Sequence, residues 1–165
     1  MIRSALDTPV GTLQVAVDRD GALVEILLPN RSPRGASEAP SRAAARGMDR
    51  AKQQLAEYFS RRRRAFDLTL QPAGSPFEQL VWSKLLEIPY GITTSYGAIA
   101  DELQLRNGAR AVGHANGANP IPIVIPCHRV IGSDGRLTGY GGGLSLKRRL
   151  LELEGAIGLP PPCLF

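Results

Sequence analysis

The strongest constraint on how this chain folds is the break at Gln71-Pro72-Ala73-Gly74, because the hydrophobic period differs on its two sides. Before it, Leu13, Val15 and Val17 alternate with Gln14, Ala16 and Asp18. Arg19-Asp20-Gly21 then supplies a turn, and Leu23 to Leu28 forms an apolar run, which together predict a β-hairpin or meander. Pro29 to Pro40 is rich in Pro, Ser, Gly and Arg and reads as a loop, whereas Ala43 to Phe59 repeats apolar residues at helical spacing and Phe66 to Leu70 alternates again as a strand. After the break the pattern is helical. Ser75-Pro76-Phe77-Glu78 combines an N-cap serine, a proline at the first helical position and a capping-box glutamate. The helix they start should turn Phe77, Leu80, Val81, Lys84, Leu85 and Ile88 inward, hold Trp82 as a core residue, and end at Pro89-Tyr90-Gly91. Ser95 caps a short helix through Leu103, and a polar turn leads to a second helix near Ala109 to Ala118, a helix-turn-helix pattern. The reading is therefore an α/β chain in two parts, residues 1–74 and 75–165.

Size and composition agree with a globular protein. With 165 residues, 43% of them hydrophobic, the chain can bury a core as one domain or two small ones. No N-terminal stretch has the make-up of a secretory leader, and nothing approaches membrane-spanning length, so a cytoplasmic protein is expected. The cysteines are Cys127 and Cys163. The second lies in the Pro160-Pro161-Pro162 tail, expected to be mobile, and a reduced compartment suits a working thiol. The net charge of +5 suggests an acidic partner, but residues 1–75 hold twelve Lys/Arg against eight Asp/Glu while 76–165 hold eight against seven. Much of the excess is Arg61-Arg62-Arg63-Arg64, away from the candidate chemistry, and such a run is commonly a solvated helix end.

That chemistry sits in Ile123-Val124-Ile125-Pro126-Cys127-His128-Arg129-Val130, where a cysteine and a histidine close an apolar, strand-like stretch. A thiol attacks as its thiolate, which a nearby base or positive charge stabilises, and His128 and Arg129 are of the right type. On a regular strand adjacent side chains face opposite ways, so Cys127 and His128 can pair only if the chain turns there or water bridges them; Pro126 favours a departure from regular strand. The residues alone leave open that Cys127 is a buried small hydrophobe. The helix at Ala109 to Ala118 is rich in Ala and Gly, with Arg110 as its lone cation. It offers little for reading bases and much room for close approach to a minor groove, or for tight packing on another element.

Arg110-Ala111-Val112-Gly113-His114-Ala115-Asn116-Gly117-Ala118-Asn119-Pro120-Ile121-Pro122, the Pro126-Cys127-His128-Arg129-Val130 run, Tyr140-Gly141-Gly142-Gly143 and Leu153-Glu154-Gly155 follow one another in the order and spacing of a known family. From about Ser75 to Gly155, roughly half the chain, the sequence resembles the O6-alkylguanine-DNA alkyltransferases. The resemblance implies irreversible, once-only transfer of an alkyl group from guanine O6 in double-stranded DNA to Cys127, without metal or organic cofactor. It leaves open whether O4-alkylthymine is accepted and whether DNA binding is cooperative; a monomer is the default. For the fold it implies a small ribonuclease-H-like N-terminal domain without nuclease activity and a winged-helix-like C-terminal domain carrying the site.

Residue by residue, the resemblance makes His128 the base that takes the thiol proton through a water, Glu154 its orienting carboxylate, and Asn119 the brace between the recognition helix and the cysteine segment. Tyr140 would donate toward guanine N3, the carbonyls of Cys127 and Val130 would accept from the guanine amine, Gly141 would allow a tight loop, and Pro122 would line the pocket. Lys147 matches a position near that pocket, although Lys147-Arg148-Arg149 also reads as the exposed face of a last helix. Arg110 would enter the base stack in place of the extruded nucleotide while Tyr96 crowds the phosphate. Ala109, Ala111 and Gly113 would lie against the DNA. His114 departs from the family, in which some relatives carry a small residue there.

Overall fold

The computed structural model describes residues 1–156; Cys163 and the Pro-rich tail lie outside the described residues. The alternation in the first third builds an antiparallel meander, β1 (Ile2–Thr8), β2 (Gly11–Val17) and β3 (Leu23–Leu27), in that spatial order. β1, which the sequence reading did not delimit, pairs with β2 from Ile2 opposite Val17 to Thr8 opposite Gly11. Leu13, Val15 and Val17 are fully buried, as their alternation requires, and Ala16 joins them at the bulge between Ala16 and Val17. Helix α1 (Arg42–Phe59) begins at Ser41, whose hydroxyl accepts from the Ala44 amide at 3.0 Å. Its buried face, Ala44, Met48, Ala51, Leu55, Tyr58 and Phe59, packs on the sheet.

The expected strand at Phe66 to Leu70 is reduced to one bridge, Leu70 beside Leu23 in parallel sense. The Asp67 backbone turns instead to α1: its amide donates to Gln54 Oε1 at 2.9 Å and its carbonyl accepts from Gln54 Nε2 at 3.1 Å. A buried glutamine side chain thus replaces a neighbouring strand.

Two compact units emerge. The first is Met1–Gly74 together with Pro120–Val124; the second is Ser75–Asn119 with the residues from Ile125 on. In the first, the Ile26 amide donates to the Pro120 carbonyl at 2.9 Å, and Ile121 and Ile123 are fully buried. The strand-like reading of Ile123 to Ile125 fails here, because Ile123 sits at φ 76, in the left-handed region. That conformation is strained for a β-branched residue and turns the chain just before the cysteine.

The second unit opens with α2 (Pro76–Leu85) and a complete capping box: the Ser75 hydroxyl accepts from the Glu78 amide at 3.1 Å, and the Glu78 carboxylate from the Ser75 amide at 2.9 Å. Its inward face is Val81, Trp82, Leu85 and, beyond its end, Ile88. Leu80, expected inside, is 47% exposed. Trp82 takes the interior because its indole N–H finds the Ala115 carbonyl at 2.8 Å, and Lys84 lies outside the core, paired with Glu87 at 3.1 Å. Strand β4 (Thr94–Ser95) leads into α3 (Tyr96–Glu102), capped by Ser95, and a turn through Leu105 and the buried Gly108 leads into α4 (Ala109–Gly117). β4 pairs in parallel with β5 (Val130–Ile131), which fixes the start of α3 beside the residues following the cysteine. The last helix, α5 (Leu144–Glu154), stops at Gly155 with φ 65; the Gly155 amide donates to Glu152 and the Ala156 amide to Leu151, so Glu154 is the last residue of the helix. Among the described residues no helix is long and apolar enough to cross a membrane.

Candidate active site

Pro126 positions Cys127 by local geometry. At φ −81 and ψ 62 it is the centre of an inverse γ-turn, closed by the Cys127 amide donating to the Ile125 carbonyl at 2.7 Å. A single 3₁₀ turn, Cys127–Arg129, follows and feeds β5. Two asparagines from the end of α4 hold this segment: Asn119 Nδ2 donates to the Ile125 carbonyl at 2.8 Å and Asn116 Nδ2 to the Cys127 carbonyl at 3.3 Å. Asn116 was not among the residues singled out from the sequence; the signal available was a polar residue on the inward face of an otherwise apolar small-residue helix. Its Oδ1 is buried without a hydrogen-bond partner.

Cys127 is buried, and burial pushes its thiol up to about 11, against the opposing influence of an Asn119 hydrogen bond and the Lys147 charge. His128 is fully buried, and that burial lowers its pKa, with Glu154 pulling the other way. Its Nε2 lies 2.8 Å from Glu154 Oε1, whereas Nδ1 is buried without a hydrogen-bond partner. Burial alone would raise Glu154, but hydrogen bonds from His128 and Arg129 outweigh it and bring its carboxyl down to about 2.

Arg129 supplies what His128 does not. Its Nε and Nη2 grip Glu154 at 3.0 and 2.8 Å, its Nη1 donates to the Ile88 carbonyl at 2.6 Å, and the guanidinium lies 5.8 Å from the centre of the Tyr90 ring. The sequence reading gave Arg129 only a general electrostatic role, since an arginine beside a histidine does not reveal which carboxylate it meets. Lys147, left between pocket and exposed face, is completely buried. Its ammonium donates to the Val130 carbonyl at 2.6 Å and the Thr138 carbonyl at 2.7 Å, and burial lowers its pKa to about 8. Tyr140 is half-buried, its hydroxyl is buried without a hydrogen-bond partner, and burial raises its pKa. Gly141 is exposed in the turn that follows, closed by the Gly143 amide donating to the Tyr140 carbonyl.

The remaining expected residues separate into groups. Tyr96 begins α3 and donates its hydroxyl to the Thr138 carbonyl at 3.3 Å. Ala109, Arg110 and Ala111 lie exposed on α4, and Arg110 has no hydrogen bond or ion pair among the described residues. Gly113 is half-buried rather than on that outer face, and a Cβ there would rest against the Tyr96 ring at 3.7 Å. Pro122 is buried in the segment that belongs to the first unit. The second unit therefore brings Cys127, His128, Glu154, Asn119, Val130, Tyr140 and Lys147 into one set of contacts and charges.

Such a set, a buried thiol beside a histidine held by a carboxylate and an unpaired phenol, is the residue combination that a cysteine nucleophile calls for, and the comparisons place the chain more closely. Residues 76–156 match the family model described as 6-O-methylguanine DNA methyltransferase, DNA binding domain. A methylated-DNA--protein-cysteine methyltransferase of Mycolicibacterium paratuberculosis is 46% identical over 153 residues, covering 90% of this chain and 89% of that one. One of Mycobacterium tuberculosis is 58% identical over 101 residues, a match that spans 61% of each chain. Among solved structures, the Mycobacterium tuberculosis OGT in complex with DNA superposes with a TM-score of 0.84 at 44% identity, covering 94% of this chain and 93% of that one. An O6-methylguanine DNA methyltransferase of Methanococcus jannaschii gives 0.66 at 25% identity, covering 98% and 100%. The chain belongs to the methylated-DNA--protein-cysteine methyltransferase family, and its mixed α/β fold is that of the OGT structures.

Proposed function

We propose that this protein repairs DNA by moving the alkyl group of O6-alkylguanine in duplex DNA onto Cys127, once per molecule. The observation that carries the reading is the juxtaposition of a buried thiol with a His128–Glu154 pair whose other ring nitrogen, Nδ1, is unpaired. Glu154, an ionised acceptor, fixes the proton on Nε2 and leaves the lone pair on Nδ1 to take the thiol proton through a water. The thiolate sulfur then attacks the alkyl carbon, the S–C bond forms as the C–O6 bond breaks, and the electron pair leaves with guanine. The Tyr140 hydroxyl, buried with its hydrogen unshared, donates toward guanine N3 and stabilises that charge. The carbonyls of Cys127 and Val130 accept from the guanine amine, Lys147 fixes the Val130 carbonyl, and Gly141 allows the tight loop of the pocket wall. The product is a thioether, whose stable C–S bond makes the transfer a single event for each molecule.

Because O6 is inaccessible in a stacked duplex, the nucleotide must rotate out, and Arg110 fills the gap while Tyr96 crowds the phosphate. α3 and α4 act as a helix-turn-helix whose outer face, with Ala109 and Ala111, lies along the minor groove, and Gly113 lets α4 close onto Tyr96. In this reading residues 1–74 are a ribonuclease-H-like scaffold, and residues 75–165 form a winged-helix-like DNA-binding and alkyl-acceptor domain of a cytoplasmic monomer. O4-alkylthymine presents the same alkyl–oxygen bond and is a second substrate to test.

Intact-protein mass spectrometry with peptide mapping, after mixing with duplex carrying one O6-methylguanine, tests the reading. One methyl group on Cys127, stoichiometric with lesion loss and without turnover, is expected. Binding of the duplex with no change in mass would replace repair by lesion recognition alone.

A further inference from the structure

The mechanism leaves one polar group on α4 without a task. His114 stands one helical turn after Arg110, both are exposed, and neither side chain makes a hydrogen bond or ion pair among the described residues. The rest of that outer face is Ala109, Ala111, Gly117 and Ala118, so these two side chains are its whole polar content. They also border one concavity of about 620 Å³, whose apolar lining is Phe77, Ala111 and Ala115. A helix rises about 1.5 Å per residue, so the two side chains are set roughly 6 Å apart along the axis, close to two base-pair steps.

We propose that His114 is a second DNA-reading side chain, entering the minor groove about two steps from the extruded nucleotide and hydrogen-bonding to base-edge acceptors there. This rests on the functional reading above and adds a recognition property to it. In the minor groove an A·T pair shows only acceptors, whereas a G·C pair adds the guanine amine, a donor that blocks an approaching N–H. Narrow A·T-rich grooves also favour inserted Arg and His side chains. Alanine or glycine at this position can make neither contact. The consequence is a bias in flanking composition and not recognition of a defined site.

The experiment compares second-order rate constants for methyl transfer to the intact protein, using duplexes in which O6-methylguanine is flanked by A·T or by G·C pairs. Flanking pairs also change the cost of extrusion, so the quantity read is the A·T to G·C ratio in the wild type divided by that ratio in His114→Ala. One net hydrogen bond gained or lost corresponds to about a three- to tenfold value. His114→Gln, which keeps an N–H donor, should restore part of it. Thermal melting of both variants checks that α4 remains folded. A quotient of one, or His114→Gln behaving like His114→Ala, overturns the proposal even if the wild type transfers methyl normally. Failure of the wild type to methylate Cys127 at all would instead strike the functional reading first and this one with it.

Discussion

His128 meets Glu154 through Nε2 at 2.8 Å, and the same carboxylate oxygen accepts from Arg129 Nη2 at 2.8 Å. Glu154 therefore serves two cations in kind but only one in charge, because burial holds His128 below its ordinary pKa and neutral at pH 7. Glu154→Gln removes the group that fixes the imidazole tautomer. The rate of methyl transfer in a single turnover should fall on the order of 100-fold or more. Quenched mixing with methylated duplex at saturating protein measures it, and a variant within threefold of wild type would remove Glu154 from the chemistry.

The same carboxylate couples stability to acid. Its pKa in the folded protein, about 2, lies below the ordinary 4.5, so its contribution is complete above about pH 4.5 and is lost as pH falls through 2. The amount is on the order of 3 kcal/mol. Urea unfolding from pH 7 to pH 2 should show that loss in wild type and a smaller one in Glu154→Gln, which starts less stable because Arg129 is left buried and unpaired. Parallel pH profiles for the two proteins would contradict this.

Residues whose partners are near in sequence were legible before the fold was known. The capping box of Ser75 and Glu78 and the Ser95 cap rest on hydrogen bonds between a side chain and nearby backbone, and each is present. What failed depended on distant partners. Leu80 shares the helical spacing of Phe77, Lys84 and Ile88 yet faces outward, because α2 turns its buried face toward Trp82, whose indole meets the Ala115 carbonyl. Phe66 to Leu70 has a strand's alternation, but Gln54 takes the Asp67 backbone. Of the candidate site, Cys127, His128 and Glu154 were carried by the family pattern. The Arg129 grip on Glu154 and the Asn116 bond to Cys127 span 25 and 11 residues and follow from tertiary contact alone.

A thiol held at about 11, above its ordinary 9.0, gives the opposite sign to Glu154. Its neutral form is the one the buried site accepts, so this stability is complete below about pH 9 and is lost as pH rises through 11. Lys147, lowered to about 8, gains stability over part of the same range in any variant that keeps it buried. The difference between wild type and Cys127→Ser isolates the thiol: the wild type should lose on the order of 3 kcal/mol relative to the variant between pH 9 and pH 11. Guanidinium unfolding at four or five pH values is sufficient, and a constant difference would show that the thiol is not insulated from solvent.

In the first unit, Gly47 of α1 lies directly over Gly21, the residue that turns the chain between β2 and β3 at φ 89. A Cβ on Gly47 would run into the Gly21 carbonyl and Cα, all backbone atoms that cannot swing aside. Helix propensity alone would favour alanine by about 1 kcal/mol. Overpacking costs about 1–3 kcal/mol and should win, so Gly47→Ala is expected to be destabilising where an exposed helical glycine would be neutral or improved. A midpoint in urea equal to or above wild type would show that α1 can lift from the turn.

Methylation of Cys127 places a new carbon where the structure is already closed. The residue is 4% exposed, its carbonyl is held by Asn116, and its neighbour His128 is tied to α5 through Glu154. A packed site answers an added methyl by shifting backbone, and the atoms available to shift are those that keep the 3₁₀ turn against α4 and α5. The cost of about 1–3 kcal/mol translates, for a chain of this length, into a melting temperature lower by roughly 2–12 °C. Removal of the thiol's ionisation also abolishes the loss of stability above pH 9, so the methylated protein should be less stable than wild type at pH 7 and converge toward it at pH 11. Differential scanning calorimetry on protein treated with a stoichiometric amount of methylated duplex, then freed of DNA, gives both readings; an unchanged or raised melting temperature at pH 7 would mean that the site holds room for the product.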